Sequence, residues 1–335
     1  LELPGNGVIR SYQLGGYILP LISEYKYWMV DKMITSTSSS QVKHIVNLQK
    51  KSKSRKEEKQ FVVEGIKMVS EAPKDRLVKV YISETFKADN EEFLEKMNYE
   101  AVGKDVLEIV SDNVFVRMSD TQTPQGIMAV VKMSEITIED MFGRDMHINS
   151  MNGKNDVNNN TDSNNAASKD DNSKNDNSGN SSNTIQPLLL ILENLQDPGN
   201  LGTIVRMAEG AGVTGIIMSS NTVDIYNPKT IRSTMGSLYR VPVIYVDDIC
   251  KAVDECKEKG VKVYAAHLKG TDNYNQKDYA QPTAFMIGNE GNGLSDRLTQ
   301  KADELVRIPM QGKVESLNAA IACTILTYEA VRQRL

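Results

Sequence analysis

The chain is poor in the residues that staple or ligate. It has three cysteines, three histidines and 6% aromatic side chains in 335 residues. Cys250, Cys256 and Cys323 are too few and too scattered for a disulfide framework, and their odd number points to free thiols in a reducing compartment, the cytoplasm. The same scarcity leaves no zinc-ligand spacing, so no metal site is expected. No apolar run approaches the length of about 18 residues needed to cross a bilayer, so no membrane association is expected. Excess positive charge is also lacking: 39 Lys and Arg face 44 Asp and Glu, a net charge of −5, so any basic footprint for a nucleic acid must be local. What is present, 40% hydrophobic and 25% charged residues, is ordinary globular composition, at a length suited to about two domains.

The apolar patch Tyr17–Ile22 is short, broken by Pro20, and lacks a basic lead-in and a small-residue cleavage site, which argues against a signal peptide. Met29 and Met33 stand just before a Ser/Thr run. Residues 1–40 therefore read as a leader, disordered or upstream of the natural start. Residues 149–184 are almost entirely Asn, Ser, Asp, Lys, Gly, Ala and Thr, and cannot bury enough surface to offset chain entropy. Residues 134–185 are thus a low-complexity linker between a block at 41–133 and a block at 186–335.

The first block reads as a small α/β domain, with strands at 61–63, 78–82 and 126–131 and helices at 41–50, 66–72 and 90–97. Lys50, Lys51, Lys53, Arg55, Lys56 and Lys59 crowd one short stretch of it. They suit either a solvated helix end or loop, or a patch that contacts phosphates. The second block alternates strands (188–192, 215–218, 243–246, 261–265, 284–287, 305–308) with helices (201–211, 229–235, 249–259, a short one after Ser295, and 316–333). That pattern predicts a mostly parallel sheet covered on both faces.

Ligands in such sheets sit at the carboxyl ends of strands, and three polar clusters follow strand ends here. In the first, Asp197-Pro198-Gly199-Asn200-Leu201-Gly202 opens a helix with Asn200 expected at the N-cap, and Arg206 stands off the apolar stripe. Arg206 is either a solvated arginine or a cation held close to an anion-binding helix start. In the second, Gly288-Asn289-Glu290-Gly291-Asn292-Gly293, the glycines let backbone approach a ligand, but their order is not that of a dinucleotide fingerprint. Glu290 could cap local N–H groups or touch substrate. In the third, which runs from Ile308 and Met310 to Asn318, Ser316 or Glu315 is expected to open the last helix, leaving Asn318 as an awkward interior residue.

Taken together, these clusters resemble the three motifs of the SpoU (TrmH-type) RNA ribose 2′-O-methyltransferases of the SPOUT superfamily. The intervening Tyr226-Asn227-Pro228-Lys229 and Arg232-Ser233-Thr234-Met235-Gly236-Ser237 are similar to that family's central segment, and residues 41–133 resemble the RNA substrate-binding domain that often precedes it. The resemblance implies a trefoil-knotted α/β domain whose second and third loops lie side by side. It implies S-adenosylmethionine bound there, with Gly288, Asn289, Ile308, Met310 and Leu317 as its contacts. It places Arg206 beside the ribose hydroxyl, with Asn200, Glu290, Ser316 and Asn318 completing the catalytic set. The basic run 50–59 would bind RNA, no metal would be needed, and the enzyme would act as a homodimer. Ribosomal RNA, most simply 23S, is the expected substrate. Transfer RNA, or an RNA-binding assembly protein that keeps the fold without turnover, are the alternatives.

Overall fold

The computed structural model describes residues 33–98, 106–142 and 186–335. The expected leader up to residue 32, and the linker from residue 143 to 185, lie outside the described residues.

The first block begins with α1 (Ser40–Lys50), capped by the Ser39 hydroxyl accepting from Val42 N at 3.2 Å. It continues through α2 (Ser52–Glu58), β1 (Gln60–Glu64), α3 (Ile66–Ser70), β2 (Leu77–Ser83), α4 (Glu84–Asp89), α5 (Glu91–Met97), β3 (Leu107–Val110), α6 (Asp112–Met118) and β4 (Ile127–Lys132). The sheet order is β1-β4-β2-β3, with only β2 and β3 parallel. Strand alternation gives this sheet two buried faces. Val62, Tyr81, Met128 and Val130 pack under α1 and α6, whereas Phe61, Val63, Val80 and Ala129 join a core shared with the second block. The basic run spans a helix end and a further short helix: Lys50 ends α1, Lys51 separates the helices, Lys53, Arg55 and Lys56 lie in α2, and Lys59 caps it; α2, β3 and α6 were not expected. The short apolar runs of β3 and α6 carry too little periodicity to be separated from loops.

The second block comprises β5 (Leu188–Leu192), α7 (Pro198–Gly210), β6 (Gly215–Ser219), α8 (Pro228–Thr234), β7 (Val243–Val246), α9 (Ile249–Glu258), β8 (Lys262–Ala266), β9 (Asp272–Asn273), β10 (Thr283–Ile287), α10 (Asp296–Thr299), β11 (Glu304–Arg307) and α11 (Ala319–Arg334). The order β7-β6-β5-β10-β8-β11-β9 is parallel throughout. Every residue of the adjacent strands β5, β6 and β10 is buried. Leu188, Leu190 and Leu192 face α7 and α11, while Leu189 and Ile191 face α9 and α10. The expected α/β class with a parallel sheet is the one observed. Its three cysteines are buried and free.

Part of the assigned linker belongs to this block. Met141 is buried, and a Cβ on Gly215 would lie 2.3 Å from its sulfur; Lys259 pairs with Glu139 at 2.7 Å and lies over the Phe142 ring. Residues 134–142 carry Ile136, Ile138, Met141 and Phe142, an apolar pattern that the adjoining polar tract hides in a composition count.

The blocks dock through α8 and the turn after it. The Phe61 and Tyr226 rings stack with centroids 4.6 Å apart, and Tyr239 Oη donates to the Met68 carbonyl at 2.9 Å. Arg55 is central to this docking. Only 3% of its side chain is exposed; Nε and Nη2 donate to Asp224 Oδ2 at 2.9 and 2.6 Å, and Nη1 donates to the Leu48 and Gln49 carbonyls. Arg55 is therefore not an RNA contact, because its guanidinium is already used between the two blocks.

Candidate active site

The three polar clusters converge beside the carboxyl ends of β5, β8 and β10. β5 runs into Glu193, a buried carboxylate that accepts from Ser295 N and Oγ, both at 2.7 Å, and so ties the first loop to the start of α10. Asn194 turns the chain with φ +54, exchanging hydrogen bonds with the Ser219 hydroxyl at 2.8 and 3.0 Å. The next helix starts earlier than expected. Asp197, not Asn200, is its N-cap, accepting from Asn200 N at 2.7 Å, and Pro198 occupies the first turn. The Asp-Pro pair carried that signal in the sequence. The shift has a consequence for Arg206: it is the ninth helical residue, more than two turns in, and does not sit at the anion-binding end.

The second loop folds back on itself. Asn289 and Gly293 exchange backbone hydrogen bonds at 3.0 and 2.9 Å, so close that a Cβ on Gly288 would lie 2.1 Å from the Gly293 carbonyl carbon. Glycine is required at 288 for this approach. The Asn289 side chain braces the loop: Oδ1 accepts from the N–H groups of Gly291 and Asn292, and Nδ2 donates one hydrogen to the Asn194 carbonyl at 2.8 Å.

The third loop ends at Asn318, which is the N-cap of α11, its Oδ1 accepting from Ala320 N and Ile321 N. The expectation that Ser316 or Glu315 opens this helix fails, and with it the puzzle of an interior asparagine. The cap leaves Asn318 Nδ2 free to donate to Asn200 Oδ1 at 2.9 Å. Asn200 Nδ2 in turn donates to Glu290 Oε1 at 3.0 Å. One side chain from each loop thus forms a continuous clasp. Glu290 also accepts from the N–H groups of Gln196 and Asp197, both at 3.1 Å. Partial burial alone would raise the Glu290 pKa, but these donors outweigh it and hold the carboxyl below its ordinary range. It stays ionised and locks the Asn200 amide in one orientation.

Beside the clasp lies a cleft of about 320 Å³, lined by residues 266–268, 287–294 and 315–317 together with Ile308 and Met310. All five residues expected to hold a cofactor (Gly288, Asn289, Ile308, Met310 and Leu317) line it, as do Glu290 and Ser316. His267 and Leu268 line it too and were overlooked, although they follow the end of β8, where ligands of parallel sheets collect. Arg206 does not line it. This side chain is exposed on α7 and makes no hydrogen bond or ion pair among the described residues. No cluster of three or more potential metal ligands occurs among the described residues.

The cleft suits an elongated ligand with both apolar and cationic parts. Its floor is backbone with a glycine that tolerates no side chain, its walls include Ile287, Leu294, Ile308 and Leu317, and Glu290 and Glu315 stand on its rim.

Residues 187–328 match the model of the SpoU rRNA Methylase family, and residues 39–129 match that of the MRM3-like substrate binding domain. The chain is 39% identical over 140 residues to a Bacillus subtilis protein named 23S rRNA (guanosine(2553)-2′-O)-methyltransferase, covering 42% of this chain and 56% of that one. It is 38% identical over 151 residues to a 23S rRNA (uridine(2479)-2′-O)-methyltransferase of Streptomyces viridochromogenes, covering 44% and 53%. The chain thus spans little more than half the length of these curated relatives. Among solved structures, the AdoMet-bound rRNA methyltransferase of Sinorhizobium meliloti superposes with a TM-score of 0.70 at 27% identity, covering 91% of this chain and 98% of that one.

Proposed function

We propose that this chain, whose residues 187–328 match the SpoU rRNA Methylase family model, methylates a ribose 2′-hydroxyl of RNA with S-adenosylmethionine as donor. The clasp of Glu290, Asn200 and Asn318 beside the glycine-floored cleft carries this reading. S-adenosylmethionine supplies an activated methyl group on a sulfonium. Backbone at Gly288 and Asn289, with Ile308, Met310 and Leu317, holds its adenosyl part, and the ionised Glu290 favours the positive charge near the rim. Asn200 and Asn318 keep the three loops in register. Ser316, exposed in the cleft wall with no partner among the described residues, donates to substrate or cofactor.

The barrier lies with the ribose hydroxyl, which is barely acidic and must be positioned while negative charge develops on its oxygen. Arg206 does this as a fixed cation rather than as a base, since a guanidinium stays protonated. It reaches a site completed by a second copy of the chain. α11 carries apolar residues on more than one side: Cys323, Leu326 and Ala330 are buried, while Ile321 and Tyr328 remain 50% and 46% exposed, with Tyr328 beside α7. A homodimer covering that face brings α7 of one protomer to the cleft of its partner.

Residues 41–133 act as the RNA-binding module and residues 186–335, with 134–142 packed against them, as the catalytic module; the low-complexity tract that follows residue 142 serves as the linker. Lys50, Lys51, Lys53 and Lys56 are exposed and contact phosphates; Lys59 is shared with Glu135 at 2.5 Å. The relatives' substrates and the matched substrate-binding domain favour 23S rRNA over transfer RNA. No helix among the described residues is long and apolar enough to cross a membrane, and the free buried thiols fit the cytoplasm. Incubation with labelled S-adenosylmethionine and total RNA from cells lacking the gene tests the reading. Label is expected on ribose with the wild type and absent with Arg206→Ala, at unchanged cofactor affinity. Undiminished transfer by that variant would remove Arg206 from the site.

A further inference from the structure

A second concave site lies apart from both the cofactor cleft and the contact between the blocks. A groove of about 480 Å³ lies between α1 and α6 on the outer face of the first block, lined by Gln49, Lys50, Asn113, Val116, Arg117 and Asp120 among others. Three observations show that it is prepared for a ligand. Lys50 and Arg117, from different helices, make no hydrogen bond or ion pair among the described residues. The Gln49 carboxamide, on a residue only 9% exposed, lines the groove with no hydrogen-bond partner among the described residues, and its polar atoms are not themselves fully buried, so its donor and acceptor stay open to water or to a ligand. Val116, at 62% exposure, presents an apolar surface between these polar groups.

We propose that this groove takes one nucleotide of the single-stranded RNA substrate, with Lys50 and Arg117 on flanking phosphates and the Gln49 amide on the base edge. The chemistry matches. Two unpaired cations suit a polyanion, a carboxamide offers a donor and an acceptor to an unstacked base, and the aliphatic face packs against base or ribose. The one acid in the groove is already neutralised, since Asp120 pairs with Arg232 of α8 at 2.8 Å. That pair also links the groove to the catalytic loops. Lys229, one turn earlier on α8, stands 4.0 Å from Asp197, whose backbone N–H is held by Glu290. A strand seated in the groove could follow α8 toward the clasp on the same subunit. The inference rests on the RNA-directed reading above and adds to it the place where substrate is recognised.

The test uses the full chain, fluorescence anisotropy with a labelled, unstructured RNA oligonucleotide, and methyl transfer to transcribed 23S rRNA. Lys50→Ala with Arg117→Ala should weaken oligonucleotide binding roughly tenfold or more, as expected for losing charge-assisted contacts. The double variant should flatten the salt dependence by about 1.4 in log–log slope, at roughly 0.7 per phosphate contact on a single strand. Gln49→Met, which keeps the volume, should change preference among oligonucleotide sequences while leaving the salt slope alone. In methyl transfer, KM for RNA should rise while kcat at saturating RNA and cofactor affinity hold. Lys74→Ala with Lys96→Ala, the same charge change on other surfaces, should leave binding near wild type. Equal binding by wild type and the Lys50/Arg117 variant overturns the groove proposal even if methylation is intact. A wild type that binds RNA through the groove yet transfers no methyl would instead overturn the enzymatic reading and leave the groove standing.

Discussion

Arg55→Ala removes a guanidinium that makes four hydrogen bonds inside the protein, at 2.6 to 2.9 Å: two to Asp224 and one each to the Leu48 and Gln49 carbonyls. Asp224, 15% exposed, would keep the Ser52 hydroxyl at 2.8 Å and Tyr226 N at 2.9 Å as donors but lose its only cation, and both carbonyls would lose their guanidinium donor. Removing one partner of a buried pair costs about 3–5 kcal/mol because the remaining charge is uncompensated. With two donors left on Asp224, the lower end applies, about 3 kcal/mol, or a fall of roughly 4–6 °C in Tm for a protein of this size. Circular dichroism during thermal or urea unfolding measures it. Lys56→Ala, one position along and fully solvated, is the reference and should stay within about 0.5 kcal/mol of wild type. Adding Asp224→Asn should recover part of the loss, because the orphaned charge is then gone. An Arg55→Ala protein with unchanged Tm but weaker, less salt-dependent RNA binding would refute the reasoning, since it would mean that Arg55 faces solvent and phosphate, as the composition of its segment alone suggests.

The other outcomes follow from the clasp and the cleft. Gly288→Ala drives a Cβ to 2.1 Å from the Gly293 backbone, so calorimetry should find cofactor binding lost while the circular dichroism spectrum is kept. Asn318→Asp retains the cap acceptor but cannot donate to Asn200; methyl transfer should fall with little loss of Tm, whereas Asn318→Ala should also cost about 1 kcal/mol of cap stability. Glu290 has its folded-state pKa lowered, so its contribution to stability is full above its ordinary value of 4.5 and is lost as pH falls through the lowered one. Acid titration of stability in Glu290→Gln should therefore be shallower than wild type below that pH, and identical curves would remove the carboxylate from the clasp.

Much of this could be read directly. Six strands of the second block read as short apolar runs bounded by turns, with β5, β6 and β10 buried at every residue, which leaves few alternatives to a parallel sheet. The glycine loop at 288–293 and the polar residues at strand ends marked the cleft. What escaped was short or depended on distant partners. β3 and α6 are too brief for periodicity to announce them. Residues 134–142 vanish into a polar average. The helix starts at Pro198 and Ala319 were misplaced by a few residues because several candidate caps stood in a row, and only the competing hydrogen bonds select Asp197 and Asn318.

The local pattern of side chains by itself determined the layers, the strand ends and the presence of a glycine-floored ligand loop, because burial period and backbone freedom are properties of neighbouring residues. Tertiary structure alone decided what each polar group does. Arg55 and Lys56 are alike in a sequence, yet one is buried against Asp224 and the other is solvated; Asn200 and Asn318 become partners only when loops more than a hundred residues apart meet. A charge or an amide takes its role from what faces it, and that is set by the path of the whole chain.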